Sequence, residues 1–171
     1  MEHLEFQIIS SSDYCESVFD GTHDSPKYHN GGYHLVTSKH LDGNNIKIDE
    51  APFITKEDFD KINERSLIKQ NDVLVSMIGT VGTISFIKEN PNFAIKNIGV
   101  LRAKTELDAK YLYYFMQSAT AQNEIKSSLV GSTQPFLSLA KLREFPLKIV
   151  TTPLAKQHIV NTLMTEVSYA I

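Results

Sequence analysis

His23, His29, His34 and His40 lie within eighteen residues of one another, a density that raises zinc chemistry first. The spacings do not suit it. No pair has the i, i+4 separation that puts two imidazoles on one helix face, and the single cysteine, Cys15, adds at most one thiolate. Cys15 precedes Glu16 with no identifiable histidine partner, so it reads as a half-buried apolar side chain and not as a nucleophile. The dipeptide His23-Asp24 is too common to signal a metal-dependent hydrolase. GTVGT, from Gly79 to Thr83, has the glycines of a phosphate-binding loop but lacks a following Lys-Ser/Thr and a strand-loop-helix setting. Glycines between two strand-like runs more simply mark a tight turn or bulge where a backbone can come close to something. No catalytic set, metal site or cofactor site is expected.

What remains is an inventory of polar side chains on loops. Thr22, His23, Lys27, Tyr28 and His29 lie in DGTHDSPKYHNGG, Lys39 lies near a strand end, Thr80 and Thr83 lie in GTVGT, and Ser132, Thr133 and Gln134 lie in VGSTQPF. Glutamine can pair bidentately with adenine. Serine and threonine suit many base edges or phosphates, and lysine neutralises phosphate or donates to guanine. These segments are therefore the candidate contacts to DNA.

Elements must hold those segments in place. LEFQI alternates like a half-buried strand, and GGYHLVTSKHL, DGNN and IKI read as strand, turn, strand. The thirteen-residue loop between them is too long to be a mere connector. Thr55 and Asp58 open a helix with Phe59 and Ile62 on its apolar edge. DVLVSMI and TISFI form a hairpin-like pair around the GTVG glycines, ENPN is a turn, and FAI and NIGVLRA are further strands. From Asp108 the chain turns helical, with Leu112, Phe115, Met116 and Ala119 on one face. Ser138 caps a short helix, FPLKIV is a last strand, and Thr152-Pro153 opens a final helix. Strands first and helices last predict an α+β fold, with residues 1–152 as one domain and residues 153–171 as the start of a longer helix.

That helix carries Val160, Leu163, Val167 and Ala170 at the 3, 4, 3 spacing of a coiled-coil seam, which suggests a partner helix or a longer parent chain. The whole chain carries a net charge of -3, which argues against indiscriminate coating of nucleic acid, since such binding runs on phosphate neutralisation. The charge is uneven: six basic against thirteen acidic side chains up to Leu67, and eleven against seven beyond it. No run reaches the roughly 18 to 20 apolar residues of a membrane span, and MEHLEFQ does not look like a signal peptide. With one cysteine, the expectation is a cytoplasmic protein with no membrane partner.

ENPNF is similar to the Asn-Pro-Pro-aromatic signature of enzymes that methylate amino groups on DNA bases, but Asn92 replaces the second proline and no Gly-rich methyl-donor loop precedes it. A broader likeness runs from about Tyr14 onward. DGTHDSPKYHNGGYHLV, NDVLVSMIGTVGTISFI, NIGVLRA with LDAKYLYYFMQS, and GSTQPFLSLAKLREFPLKIVTTPLAKQHIV occur in an order that resembles one target-recognition half of the specificity subunit of type I restriction-modification enzymes. The resemblance implies a non-enzymatic reader of double-stranded DNA. It would dock methylation subunits, and through them a restriction subunit, by its long helix, here at Val160, Leu163 and Val167. A second copy of the chain could pair through the same helix. The target base would be flipped into the methylation subunit. A degenerate domain that keeps subunit docking but no longer reads DNA is the alternative. Two features depart from the family pattern: the chain has no tryptophan, and Lys156 stands where an acidic residue commonly precedes Gln157. A half-length subunit, a recombinable cassette and an excised domain all remain open.

Overall fold

The computed structural model describes residues 5–169, with side chains up to residue 164. β1 (Phe6–Ser10) leads into a single helical turn, α1 (Ser11–Tyr14), whose first amides are capped by the Ser10 side chain, and then into β2 (Ser17–Asp20). After the long loop come β3 (Tyr33–Thr37), the two-residue β4 (Phe53–Ile54) and α2 (Lys56–Ser66). β5 (Val73–Ser76), β6 (Ile84–Phe86), β7 (Phe93–Lys96) and β8 (Ile98–Arg102) follow in close succession. The rest is α3 (Glu106–Gln117), α4 (Ala119–Ser127), α5 (Leu139–Arg143), β9 (Pro146–Val150) and α6 (Pro153–Tyr169). The fold is α+β, as expected.

Three sheets result. β2, β8, β5 and β6 form an antiparallel sheet in that order, β4, β3 and β7 form a mixed one, and β1 pairs with β9 across the length of the chain. β5 and β8 are buried along nearly their whole length because both of their faces are covered. Val73, Val75 and Leu101 pack with Leu112, Met116, Leu137, Leu142 and Phe145 on the helical side. Leu74, Val100 and Ile98 meet Val36, Phe93 and Ile95 of the mixed sheet on the other. Strands buried on both faces read as unbroken apolar runs, which is how DVLVSMI and NIGVL read. α2 closes the far side of the mixed sheet, where Phe59 stacks on Tyr33 with ring centroids 4.1 Å apart and Ile62 joins Leu35, Ile54 and Ala94.

Three sequence expectations need correction. IKI is not a strand. Asp42 accepts the backbone amides of Asn44 and Asn45 at 3.0 and 2.7 Å, which tightens the turn so that only Ile46 bridges back to Leu41, and Ile48–Glu50 closes as a 3₁₀ turn. The partners of β3 are instead β4, antiparallel, and β7, parallel. Next, the helix expected from Asp108 begins at Glu106, capped by Thr105, and breaks at Ser118. Ser118 takes an extended backbone and caps a second helix by accepting the Ala121 amide at 3.2 Å. The break exposes Ala119 and buries Ala121 and Ile125 instead. Finally, SVFD carries an unexpected strand. Its inward positions are Val18 and Asp20, and the acid at the second of them disrupts the apolar alternation.

Candidate nucleic-acid interface

The first polar loop leaves the sheet at the end of β2. Gly21 is required there: its amide donates to Ile98 O at 2.9 Å, and a Cβ at this position would lie 2.4 Å from Ile95 O. Thr22 follows as a bridge between β2 and β7, donating its amide to Ile95 O and accepting that of Asn97. Its side chain is 7% exposed and caps the Asp24 amide at 3.1 Å, so Thr22 shapes the loop from inside and does not present its hydroxyl outward. This corrects its expected place among the exposed contacts.

His23 faces out, yet both ring nitrogens are engaged. Nε2 lies 2.9 Å from the buried Asp20 carboxylate and Nδ1 lies 2.7 Å from Asn97 Oδ1. Arg65 of α2 donates to Gly21 O at 3.1 Å and sits 3.8 Å from Asp20. Lys27, Tyr28 and His29 then project into solvent, with none of these side chains paired among the described residues, until the His29 amide rejoins the sheet at Phe53 O. The remaining histidines of the cluster point elsewhere. His34 bonds Ala51 O at 2.8 Å, and burial lowers the pKa of His40, which accepts the Thr37 amide. Cys15 is buried more fully than expected, and burial pushes its thiol up to about 12.

The second segment joins β5 to β6. Gly79 and Gly82 have φ of +68° and +89°, a region that L side chains avoid. The Ser76 hydroxyl accepts the Thr83 amide at 2.8 Å and donates to Thr80 O. Thr83 gives its own hydroxyl to Thr80 O at 3.0 Å, which leaves Thr80 as the exposed threonine of the pair. Gln122 of α4 donates to Gly82 O at 2.9 Å, and a Cβ on Gly82 would press on Gln122 and Ile125. These glycines serve a turn packed against a helix, with no phosphate needed to explain them.

The third segment is a small β-loop. Val130 and Phe136 exchange both backbone hydrogen bonds at 2.9 Å, and Gly131 takes φ +92°. This closed base holds Ser132, Thr133 and Gln134 outward. All three are exposed, and among the described residues none of their side chains has a hydrogen-bond partner within the chain. Lys39 is likewise exposed, on the 3₁₀ turn that follows β3.

The loops converge. The Leu137 amide donates to Met77 O at 2.9 Å, tying the third segment to the end of β5 where the second begins. A cleft of about 330 Å³ opens between them, with Asp20, His23 and Asn97 at its polar side and Met77, Ile78 and Phe136 along its apolar side. Five of these were not candidates from sequence: Asp20, Asn97, Met77, Ile78 and Phe136. The available signals were Asn97, a small polar residue between two strands that takes φ +54°, and an acid directly before Gly21.

Comparison with known proteins decides the family. The family model for the type I restriction modification DNA specificity domain matches residues 5–169. The chain belongs to that family. No curated protein matches it in sequence. Among solved structures, it is similar to the S subunit of a type I restriction-modification system from M. genitalium, with TM-score 0.66, 16% identity, and coverage of 96% of this chain and 40% of that one. It is also similar to a chain from a study of complex assembly and conformational transition of the type I R-M system (TM-score 0.70, 13% identity, 96% and 40% covered). The HsdS subunit from Thermoanaerobacter tengcongensis gives TM-score 0.65, 15% identity, and coverage of 96% and 43%. The chain thus spans about two fifths of the length of the solved chains it matches, and at these identities the likeness is one of fold.

In this specificity domain, α6 does not stand free. Asp108 accepts hydrogen bonds from Tyr14 and Thr105, both at 2.8 Å, and from Lys156 of α6, whose ammonium also sits 5.0 Å from the Tyr14 ring centroid. Burial pushes the Asp108 carboxyl up, but these donors outweigh it and hold it below the usual carboxylate range. Lys156, the departure from the family pattern, has therefore found a partner in Asp108. Val160 is fully buried in the domain's own core with Leu112 and Met116, so it is not available to a partner helix. Leu163 is half-buried, Leu154 and Met164 are exposed, and Val167 and Ala170 lie outside the described side chains. Among the described residues, no helix is long and apolar enough to cross a membrane.

Proposed function

We propose that this domain is the non-catalytic DNA reader of a type I restriction-modification assembly, recognising one half of a bipartite target and directing the methylation subunits to it, and through them the restriction subunit. One observation carries this reading. Three segments far apart in sequence have their roots at one cleft, through Asp20 and His23, Met77 and Ile78, and Phe136 and Leu137. They expose Lys27, Tyr28, Thr80, Ser132, Thr133 and Gln134 with side chains that have no hydrogen-bond partner among the described residues. Lys27 and Lys39 supply cations to position phosphates, His29 is exposed beside Tyr28 in the first loop, and Gln134 and its neighbours suit base edges. Docking to the methylation subunits falls to α6 beyond Val160, with Leu163 as its described apolar contact, and residues 153–171 act as the docking segment.

The deciding experiment is methylome sequencing by direct detection of modified adenine in cells that express the chain with its methylation subunit. One half of the methylated motif is expected to change when this domain is exchanged for another. An unchanged motif would reject the reader and favour a docking scaffold. Pairing of two copies through α6 belongs to the same proposal. It predicts a symmetric target and a dimer in light scattering, and a monomer at high concentration both with and without the methylation subunit would remove it.

A further inference from the structure

The cleft between the loops has a chemistry of its own. Its polar side is Asn97, fixed in position three ways: the backbone amide donates to Thr22 O at 3.1 Å, the backbone carbonyl accepts the Ser38 hydroxyl at 2.8 Å, and the side chain meets the His23 ring. His23 is held in turn by Asp20. Whichever way the Asn97 amide is turned, the bond to His23 uses one of its hydrogen-bonding positions and leaves at least one N–H and one oxygen lone pair. One donor beside one acceptor complements the adenine major-groove edge, whose N7 accepts and whose N6 donates. Guanine shows two acceptors there and calls for a cation. Among the described residues no lysine or arginine lines this cleft, and the Asp20 carboxylate disfavours an edge made only of acceptors. Apart from Ser138, the rest of the lining is apolar, with Ile78 half-buried and Phe136 40% exposed. In the major groove the matching apolar group is the C5 methyl of thymine.

We infer that the cleft takes the major-groove edge of an A·T base pair, with Asn97 holding the adenine and Ile78 and Phe136 packing on the thymine methyl. This rests on the reading of the chain as a DNA reader and names a base pair within its half-site. Asp20 and His23 are positioning residues, since they orient the amide without touching the base.

The test uses the chain assembled with its methylation subunit and duplexes carrying the motif found by methylome sequencing. In the half-site, each thymine is replaced by deoxyuridine, which removes only the methyl, and each adenine by 7-deazaadenine, which removes only N7. At one A·T pair, deoxyuridine should weaken binding about three- to fivefold, the value of one buried methyl, and 7-deazaadenine about fivefold or more. Ile78→Ala should abolish the first effect and leave the second. Asn97→Gly, which keeps the left-handed backbone, should do the reverse. Sequence-specific binding that ignores every one of these base substitutions would overturn the inference and leave the reader intact, as would base effects undiminished in both variants. The base-analogue measurements need no protein variant, so a poorly folding mutant cannot hide the answer. Binding with no sequence preference at all would overturn this inference and the reading beneath it together.

Discussion

The two ends of β8 hold two buried aspartates in contrasting settings. Beyond one end, Asp72 takes a two-pronged ion pair from Arg102 at 2.8 and 2.7 Å and accepts the Lys69 amide at 2.7 Å. Arg102 spends a further hydrogen on Leu67 O and lies over the Phe19 ring. At the other end, across from Gly99, Asp20 is nearly as buried but among the described residues meets only the exposed His23 at 2.9 Å and Arg65 at 3.8 Å. The Arg102 end is closed in the sense that its charges are paired with each other, while Tyr14 and Asp108 hold Lys156 of α6. The Asp20 end opens into the cleft. One four-strand sheet thus carries a bidentate ion pair at one end and, at the other, the cleft proposed to read DNA.

The largest expected effect breaks the closed end. Asp72→Ala leaves the largely buried Arg102 guanidinium without its ion-pair partner, and removing one partner of such a pair costs about 3 to 5 kcal/mol. A urea titration should show the transition midpoint falling sharply with little change in slope. If the midpoint barely moves, the distinction between the two ends does not hold.

A smaller effect should appear at the open end and only in binding. The Gln134 side chain has no hydrogen-bond partner among the described residues, so for Gln134→Ala stability should stay within about 0.5 kcal/mol. Binding to the cognate duplex should lose roughly 1 to 3 kcal/mol, with preference relaxed at one position. Equal loss on every sequence would reject Gln134 as a base reader.

Much of the frame was legible from sequence because its determinants are local. The Thr55 and Ser138 caps, the hairpin of DVLVSMI with TISFI, and Pro153 at the head of α6 each depend on residues a few places apart. The cleft was not. Asn97 reaches His23 only because β7 runs parallel to β3 and carries the turn after it to the loop root, and His34 pairs with Phe93 across a separation that no local pattern encodes. Thr22 and Val160 failed for a related reason. Their types suited exposure to DNA and to a partner helix, but a backbone bridge to Lys96 turns one inward and packing on α3 absorbs the other.

The anchor of α6 sharpens the comparison further. Asp108 has a carboxyl pKa depressed in the folded chain, so its contribution is present above the unfolded value of about 3.9 and is lost as pH falls through the lower folded value. Lys156→Ala removes one of its donors, so this contribution should be smaller and should fade at a higher pH than in the parent. Hydrogen exchange should then quicken across 153–164 while the loop amides at the cleft keep their protection. Equal loss of protection at both ends would mean that the sheet does not insulate them.

The smallest effect concerns a charge on the reading side. Lys27 is exposed and unpaired, and if it meets a phosphate its role is the same for every sequence. Lys27→Ala should weaken cognate and non-cognate duplexes alike and reduce the slope of log affinity against log salt by about 0.9, the release of one condensed counterion. The change should survive when Gln134 is also replaced, because phosphate and base contacts contribute separately. A Lys27 effect confined to the cognate sequence would move this residue from the backbone-positioning group to the base-reading one, and the first loop would then recognise sequence itself instead of only seating the duplex over the cleft.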